Sequence, residues 1–421
     1  MEPLNKKRQQ ARWVPVFLLC LGLFCLGWIV FLIVASVSHP AIANVPGPET
    51  ASTIFPIQSI DTMKDSRDMA ESELNDPGYD ATIQSEMQLI KATGANYVAI
   101  DTPYDDQFAP FMTRWVNAAR AEGLSIWFRG NFAGWEGWFN SSKITEAQHN
   151  DMLQVFITTH PDLFQNGDLF SPCPECENGQ QGDPRSTGDA AGFNAFLVQE
   201  YDTANTAFHA IGKNVRVLNS MNSDIANQII TPSVASALGG TILVDHYVAT
   251  PQEFLSDIAA LEQKFNNSVG IGEFGAVIPG LQTDQSEGGQ ASFVGQVLAG
   301  LYAASTTPPL INYWTLEQGS TALINPDGSN RAAYGLILDY YSPYIVMGTV
   351  TAADGVGQSG VLITVSGTNY ARQTDSKGYY RILVPRNFNN IVFSEPGFAD
   401  ATISPDAGTT TTSRNVILTA N

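Results

Sequence analysis

The chain has little charge, and most of that charge is negative. Only 15% of its 421 residues are charged, and 21 lysines and arginines stand against 41 aspartates and glutamates, giving a formal net charge of −20. An acidic chain repels phosphate backbones unless it carries a local basic stripe, and the sequence contains none. We therefore expect no nucleic-acid partner.

Cysteine and histidine are also scarce. The chain has four cysteines and five histidines, and the histidines show no spacing typical of a metal site. Cys20 and Cys25 fall within one apolar segment, which leaves Cys173 and Cys176 for the rest of the chain. A network of disulfides is thereby excluded, so a hydrophobic core must stabilise the fold, and the 44% hydrophobic content allows one.

The first residues combine a basic cluster with a long apolar run. Residues 1–12 hold four basic residues against one acid, and residues 13–35 carry no charge. Because about 20 helical residues cross a bilayer core, we predict a cytoplasmic tail over 1–12 and a transmembrane signal-anchor over 13–37. The alternative is a signal peptide cleaved near residues 41–43. Both interpretations place the remainder outside the cell, and the anchor makes the protein single-pass in the cell membrane.

After a linker over 38–52, residues 53–342 alternate between short apolar runs and segments of helical period. Apolar residues recur at helical spacing at Phe254, Ile258 and Leu261, for example. Eight alternating strands and helices predict a (β/α)8 TIM barrel. An open doubly wound sheet is the alternative, but no Gly-rich nucleotide loop follows the first strand. The eight strand-like runs begin near Ile54, Asn96, Leu124, Asp168, Val215, Thr241, Val269 and Pro309.

Residues 343–421 have a different pattern. Short strand-like runs are separated by turn dipeptides such as Asp354-Gly355 and Lys377-Gly378, and no helical period remains. This pattern predicts a small all-β sandwich. The segments beginning at Gly348 and Gly360 resemble those of carboxypeptidase regulatory-like (transthyretin-like) domains, which implies an accessory role.

Carboxylates and aromatic residues follow several predicted strands. In a (β/α)8 barrel the functional residues lie at the carboxyl ends of the strands, where Glu175 follows the fourth strand and Glu273 ends the seventh. Two carboxylates facing each other across a barrel suit cleavage of a glycosidic bond, and flat aromatic rings can stack on sugars. The sequence therefore predicts a glycoside hydrolase.

Three segments carry a resemblance to a known family. Ile271-Gly-Glu273-Phe-Gly-Ala resembles the strand-seven signature of the (β/α)8 glycoside hydrolases of clan A, Phe170-Ser-Pro-Cys-Pro-Glu175 occupies the strand-four place, and Asn312-Tyr-Trp314 resembles the strand-eight end. The resemblance implies a retaining double displacement on a β-linked poly- or oligosaccharide, with Glu273 as nucleophile and Glu175 as acid/base. It implies no metal and no organic cofactor.

One position departs from that family. Clan members usually have Asn directly before the acid/base, whereas this chain has Pro174, so Glu177 remains an alternative acid/base. Arg129 would either hold a catalytic carboxylate or close the barrel interior with a salt bridge. The expected substrate-binding residues are Trp314, Trp135, Trp138, Tyr247, His246, Arg129, Asn222 and Asn178, with Asn131 as a further candidate for the sugar 2-hydroxyl.

Cys173 and Cys176 flank Glu175 in a CxxC pattern. Such a pair can be a redox centre, half of a zinc site or a small disulfide, and we favour a disulfide or free pair that shapes the loop of Glu175. Two other functions therefore stay open. A catalytically inactive barrel could act as a cell-surface glycan-binding or adhesion protein, and a thiol oxidoreductase could depend on the two cysteines.

Overall fold

The computed structural model describes residues 51–179, 182–406 and 408–421. The predicted basic tail, the signal-anchor over 13–37 and all of the linker except residues 51 and 52 lie outside the described residues. Among the helices that the structure describes, none combines the length and the apolar character needed to cross a bilayer.

Eight parallel strands form a closed barrel. Strand β1 pairs with β8 and β2 pairs with β3, and the bridge between Asp61 and Ala99 joins the two sheets at β1 and β2. The two segments of β5 join them on the opposite side, because one pairs with β4 and the other with β6. The strands are β1 Ile57–Ile60, β2 Tyr97–Ile100, β3 Ser125–Phe128, β4 Leu169–Phe170, β5 Arg216–Val217 with Asn219–Asn222, β6 Ile242–Asp245, β7 Gly270–Phe274 and β8 Leu310–Tyr313. The predicted (β/α)8 barrel is confirmed.

Thirteen α-helices are described, and the longer ones cover the barrel with one apolar face. In the helix Ala109–Ala121, the buried residues Phe111, Met112 and Trp115 lie at helical spacing and face the strands. The helices are α1 Met63–Ser66, α2 Ala70–Glu73, α3 Asp80–Ala92, α4 Ala109–Ala121, α5 Ala133–Glu136, α6 Glu146–Thr159, α7 Pro184–Thr187, α8 Ala190–Ala210, α9 Ser223–Gln228, α10 Pro232–Ala237, α11 Pro251–Phe265, α12 Glu287–Ala303 and α13 Ala332–Tyr341.

The interior of the barrel is layered, because side chains alternate along each strand. Six buried apolar residues form a lower layer: Ala99, Trp127, Leu169, Leu218, Leu243 and Leu310. Two residues further along the same strands comes a polar layer: Asp101, Arg129, Ser171, Ser220, Asp245 and Asn312. A period of two brings each pair to the same face of its strand, so the polar layer lies towards the carboxyl ends. We call this end the barrel mouth.

The C-terminal residues form two four-stranded sheets, as expected for a sandwich. One sheet is centred on β9, which pairs with β12, β15 and β16, and the other has the order β11-β10-β13-β14. Strand β9 alternates buried and partly exposed residues along much of its length, which is typical of a sheet with one solvated face. The strands are β9 Tyr344–Ala352, β10 Leu362–Val365, β11 Ala371–Gln373, β12 Tyr379–Val384, β13 Ile391–Ser394, β14 Ala401–Ile403, β15 Thr411–Ser413 and β16 Val416–Leu418. The resemblance of this domain to transthyretin-like domains stays a prediction.

Candidate active site

Glu273 lies in the barrel mouth near the end of β7 and is 4% exposed. Both of its carboxylate oxygens are held by other side chains. Arg129 Nη1 lies 2.6 Å from Oε1, and the Tyr247 hydroxyl donates a hydrogen bond of 2.7 Å to Oε2. These two contacts fix the orientation of the carboxylate that the sequence predicts to be the nucleophile.

Glu175 follows β4 in a loop closed by a disulfide. Cys173 and Cys176 are bonded to each other, which confirms the disulfide among the interpretations of the CxxC pattern. Glu175 has a left-handed backbone conformation, with φ 46° and ψ 46°, and its N–H donates to the Ser220 carbonyl at 2.9 Å. The loop thus turns over the end of β5 and brings Glu175 towards the barrel axis.

The two glutamates meet at the mouth. One carboxylate oxygen from each of Glu175, Asp245 and Glu273 lies within 4.8 Å of the others. Carboxyl groups of retaining glycosidases stand about 5–5.5 Å apart, whereas inverting enzymes need about 6.5–9.5 Å to admit a water. The separation seen here leaves no room for that water between the two groups.

Burial raises the pKa of Glu175 well above its usual range, and the neighbouring charges of Glu273 and Asp245 raise it further. Glu175 is therefore protonated when Glu273 is charged. A carboxyl group that keeps its proton beside a charged carboxylate is the arrangement that general-acid catalysis requires.

Arg129 lies at the centre of four carboxylates, which we call the carboxylate cluster: Asp61, Asp101, Asp245 and Glu273. Its guanidinium nitrogens are 2.8 Å from Asp245, 3.2 Å from Asp101 and 3.7 Å from Asp61, besides the contact to Glu273. One cation cannot neutralise four buried anions. Burial accordingly raises the pKa of Asp61 to about 6 and that of Asp245 to about 8.

The structure corrects the expectation for Arg129 as a sugar ligand. The side chain is 2% exposed, and the carboxylate cluster surrounds its guanidinium group. Arg129 therefore holds catalytic-site carboxylates, one of the two roles considered for it, and is closed to a substrate.

Trp135 was also expected in a sugar subsite, and that prediction is wrong. Trp135 is 1% exposed, and its ring stacks on Phe196 of α8 with 5.0 Å between centroids. The short helix α5 turns this side chain inward beneath α6 and α8. A buried ring offers no face to a sugar.

His246 does not reach the mouth either, which corrects its expected role in substrate binding. Its Nδ1 lies 2.6 Å from the Ser223 hydroxyl, and its Nε2 lies 3.1 Å from Asp257 on α11. The ring packs beside Phe254 of the same helix. His246 is thus a residue of the helical layer.

Trp314, Tyr247 and Trp138 keep surfaces that a ligand can reach or border. The half-buried Trp314 ring meets Tyr247 edge-on with 5.9 Å between centroids, directly beside the hydroxyl that binds Glu273. Trp138 is also half-buried, and the Arg67 guanidinium lies 4.8 Å from its ring centroid. Trp314 is therefore the aromatic residue placed best to line a subsite next to Glu273.

Glu177 and the two asparagines form a second polar group beside Glu175. Asn222 donates to Glu177 from its backbone N–H at 2.7 Å and from its side chain at 3.0 Å. The side chain of Asn178 donates to Glu175 Oε2 at 3.2 Å. Glu177 is engaged by Asn222, whereas Glu175 reaches Glu273, so the geometry favours Glu175 of the two as the acid/base.

Several site residues were absent from the predicted set. Asp61, Asp101 and Asp245 follow or end strands, and the period-two layering is the signal that could have found them. A buried chain behind the disulfide loop was missed as well. His149 lies 2.6 Å from Glu200 and 2.8 Å from Asn131, whose side chain donates to Cys173 Sγ at 3.3 Å and to Glu136. His149 carries no sequence signal beyond its place on a helix.

Three solved structures represent the similarity of this chain to known proteins. GH5_18 from Streptomyces cattleya, solved in complex with GlcNAc, has a TM-score of 0.50 at 13% identity, covering 72% of this chain and 86% of that chain. Parabacteroides merdae β-glucuronidase gives 0.48 at 12% identity, with 87% and 48% covered. Xylanase 10B from Thermotoga maritima gives 0.46 at 12% identity, with 70% and 98% covered. At such identities the similarity shows the fold, and the predicted likeness to clan A glycoside hydrolase barrels is confirmed at that level.

No family model and no curated protein sequence matches the chain. The chain spans about half the length of the β-glucuronidases among its structural neighbours.

Proposed function

We propose that this protein is a retaining glycoside hydrolase in which Glu273 is the nucleophile and Glu175 the acid/base. The observation that carries the proposal is the meeting of these two carboxyl groups, with oxygens within 4.8 Å, at the barrel mouth. The alternative of an inactive glycan-binding barrel assumed carboxylates too far apart for catalysis, and the close pair removes that reason.

In the first step, Glu273 attacks the anomeric carbon while Glu175 gives its proton to the departing glycosidic oxygen. Arg129 and Tyr247 hold the attacking carboxylate in place, so little reorientation is needed. The raised pKa of Glu175 supplies the proton. The products are a glycosyl ester on Glu273, a released alcohol and a deprotonated Glu175.

In the second step, Glu175 takes a proton from water as that water attacks the anomeric carbon. The ester removes the negative charge of Glu273, which is one cause of the raised pKa of Glu175. The pKa of Glu175 therefore falls in the intermediate, and the group that acted as an acid becomes a base. Water ends on the sugar, Glu273 is freed and Glu175 regains its proton.

We propose a β-linked poly- or oligosaccharide as the substrate. Trp314 and Tyr247 present aromatic surface beside Glu273, and such surface suits the C–H faces of a pyranose. Asn178 and Asn222 lie next to Glu175 and Glu177 with amide groups that suit sugar hydroxyls. The sugar and the linkage are to be identified by assay.

We further propose that the hydrolase faces the outside of the cell on a single-pass anchor over residues 13–37. The basic residues before this uncharged segment support the orientation, and a disulfide suits an oxidising compartment. Full-length protein should resist extraction from membranes by alkaline carbonate, and deletion of residues 13–37 should release it. Release of the full-length protein by carbonate would contradict the anchor.

The activity is tested on the full chain with a panel of plant, fungal and bacterial β-linked polysaccharides, by counting reducing ends. Wild type, Glu273→Gln and the control Glu71→Gln, an exposed residue of α2, are compared. We expect wild type and the control to cut the same polymer, with Glu273→Gln slower by several orders of magnitude. Equal cutting by Glu273→Gln would refute the proposed nucleophile, and retention of a glycan without cutting would favour the binding barrel.

A further inference from the structure

Three acidic side chains meet at a second place, outside the carboxylate cluster. Asp65 lies on α1 after β1, Glu86 lies on α3, and Glu317 lies in the loop after β8. One carboxylate oxygen of each lies within 4.8 Å of the other two. We call these residues the acidic triad. It joins the segments that follow the first and last strands of the barrel.

Glu86 is the unusual member of the acidic triad. Its side chain is 0% exposed, and neither of its carboxylate oxygens has a hydrogen-bond partner among the described residues. A buried carboxylate without a partner is costly, and its nearest neighbours here are two further acids. Something positive is therefore required at this position.

The described protein does not supply that positive charge. No lysine or arginine of the described residues forms an ion pair with any member of the triad, and the adjacent Lys64 pairs with Asp68 at 3.0 Å. Asp65 is instead oriented by neutral groups, because Tyr79 and Gln318 both donate to its Oδ1 at 2.7 Å. That arrangement leaves Asp65 Oδ2 for another ligand.

We propose that Asp65, Glu86 and Glu317 bind a structural Ca²⁺ ion. All of the available ligand atoms are carboxylate oxygens, which suits a hard cation and disfavours zinc. Ca²⁺ accepts carboxylates in one- or two-oxygen modes at variable angles, whereas Mg²⁺ demands a nearly regular octahedron and retains its waters. Three carboxylates from three separate segments match the less demanding cation.

The ion would tie the triad to the floor of the proposed subsite. Glu317 follows Trp314 by three residues, and Lys64, which precedes Asp65, lies 5.6 Å from the Trp314 ring centroid. A cation bound by Asp65 and Glu317 holds both flanking segments of this ring. Its role is to fix the loops, and it takes no part in the chemistry of Glu175 and Glu273.

The competing explanation is a proton. Burial, with the charges of Asp65 and Glu317, raises the pKa of Glu86 well above its usual range, so a neutral Glu86 would also relieve the repulsion. A proton and a cation differ in their response to added metal. The full chain is therefore freed of metal with EDTA, dialysed, and melted with CaCl₂ or with MgCl₂ at equal ionic strength.

We expect saturating Ca²⁺ to raise the unfolding midpoint of wild type by about 3–5 °C, with a smaller response to Mg²⁺. Glu86→Gln is nearly isosteric and should abolish the response while unfolding at or above the midpoint of metal-free wild type. Glu71→Gln, on α2 in the same loop region, should respond as wild type does. Should Glu86→Gln fail to fold, the half-exposed Glu317→Gln replaces it.

Bound calcium counted by mass spectrometry after equilibrium dialysis gives a second measurement. We expect one more Ca²⁺ per chain in wild type than in Glu86→Gln. Equal calcium in both proteins, or no midpoint shift in wild type, would overturn the proposal in favour of a protonated Glu86. Neither measurement uses a sugar substrate, so both are independent of the proposed hydrolase activity.

Discussion

The disulfide beside Glu175 leads to the sharpest prediction. Glu175 adopts the left-handed conformation, which costs a residue with a side chain about 1–2 kcal/mol. Cys173 and Cys176 close the chain around it with 5.1 Å between their Cα atoms. Because the crosslink restricts the alternatives, we expect it to hold Glu175 in the conformation that reaches Glu273.

The perturbation is the double substitution of Cys173 and Cys176 by alanine. For a loop this short, the chain-entropy relation gives a loss of about 2 kcal/mol in the free energy of unfolding. Relaxation of the released loop by about 1–2 kcal/mol would leave the catalytic conformation about 5- to 30-fold less populated. We therefore expect kcat/KM to fall about 5- to 30-fold at temperatures where the variant is fully folded.

The assay compares two glycosides of the preferred sugar, one with a good and one with a poor leaving group. A good leaving group needs no proton from Glu175, so its kcat/KM should change little, whereas the poor leaving group should show the full loss. Alanine at Cys20 and Cys25 is the matched control. A kcat/KM within twofold of wild type on the poor leaving group, with the disulfide gone, would refute the reasoning.

Three further predictions follow from the same site. Tyr247→Phe removes a hydrogen bond to a charged carboxylate, so kcat/KM should fall about 10- to 100-fold, and a loss no larger than that of Tyr201→Phe would contradict this role. Trp314→Ala should raise KM more than it lowers kcat, and an unchanged KM would exclude Trp314 from the subsite. The native pKa of Asp245 is raised to about 8, so the folded protein keeps a proton that the unfolded chain loses above about pH 4. Its contribution to stability is therefore lost as pH rises towards 8, and urea unfolding of Asp245→Asn should show a shallower decline over that range; an unchanged slope would contradict the assignment.

Much of the barrel could be predicted because parallel strands are buried on both faces. Such strands appear as short apolar runs, and seven of the eight begin one residue after the predicted start, while β1 begins three residues later. The place of Glu175 and Glu273 at one rim follows from the same topology, since all parallel strands end on one side. Their separation does not follow, because it depends on the left-handed turn at Glu175.

The failures arise where two elements distant in sequence meet. Trp135 resembles an exposed loop residue until α8 packs Phe196 against it, and His246 belongs to the mouth until Asp257 on α11 binds its ring. Glu86 occupies a helix whose polar residues would ordinarily face solvent. Its burial against Asp65 and Glu317 depends on the loop after β8, which no local pattern reveals.

The most direct test of the account is the configuration of the first sugar released. Once the panel has identified a substrate, proton NMR follows the anomeric signals during hydrolysis, before mutarotation mixes them. Glu175 and Glu273 are too close for an interposed water, so the account predicts that the β-anomer forms first. Initial formation of the α-anomer from a β-linked substrate would mean inversion, and it would contradict the assignment of Glu273 as a nucleophile.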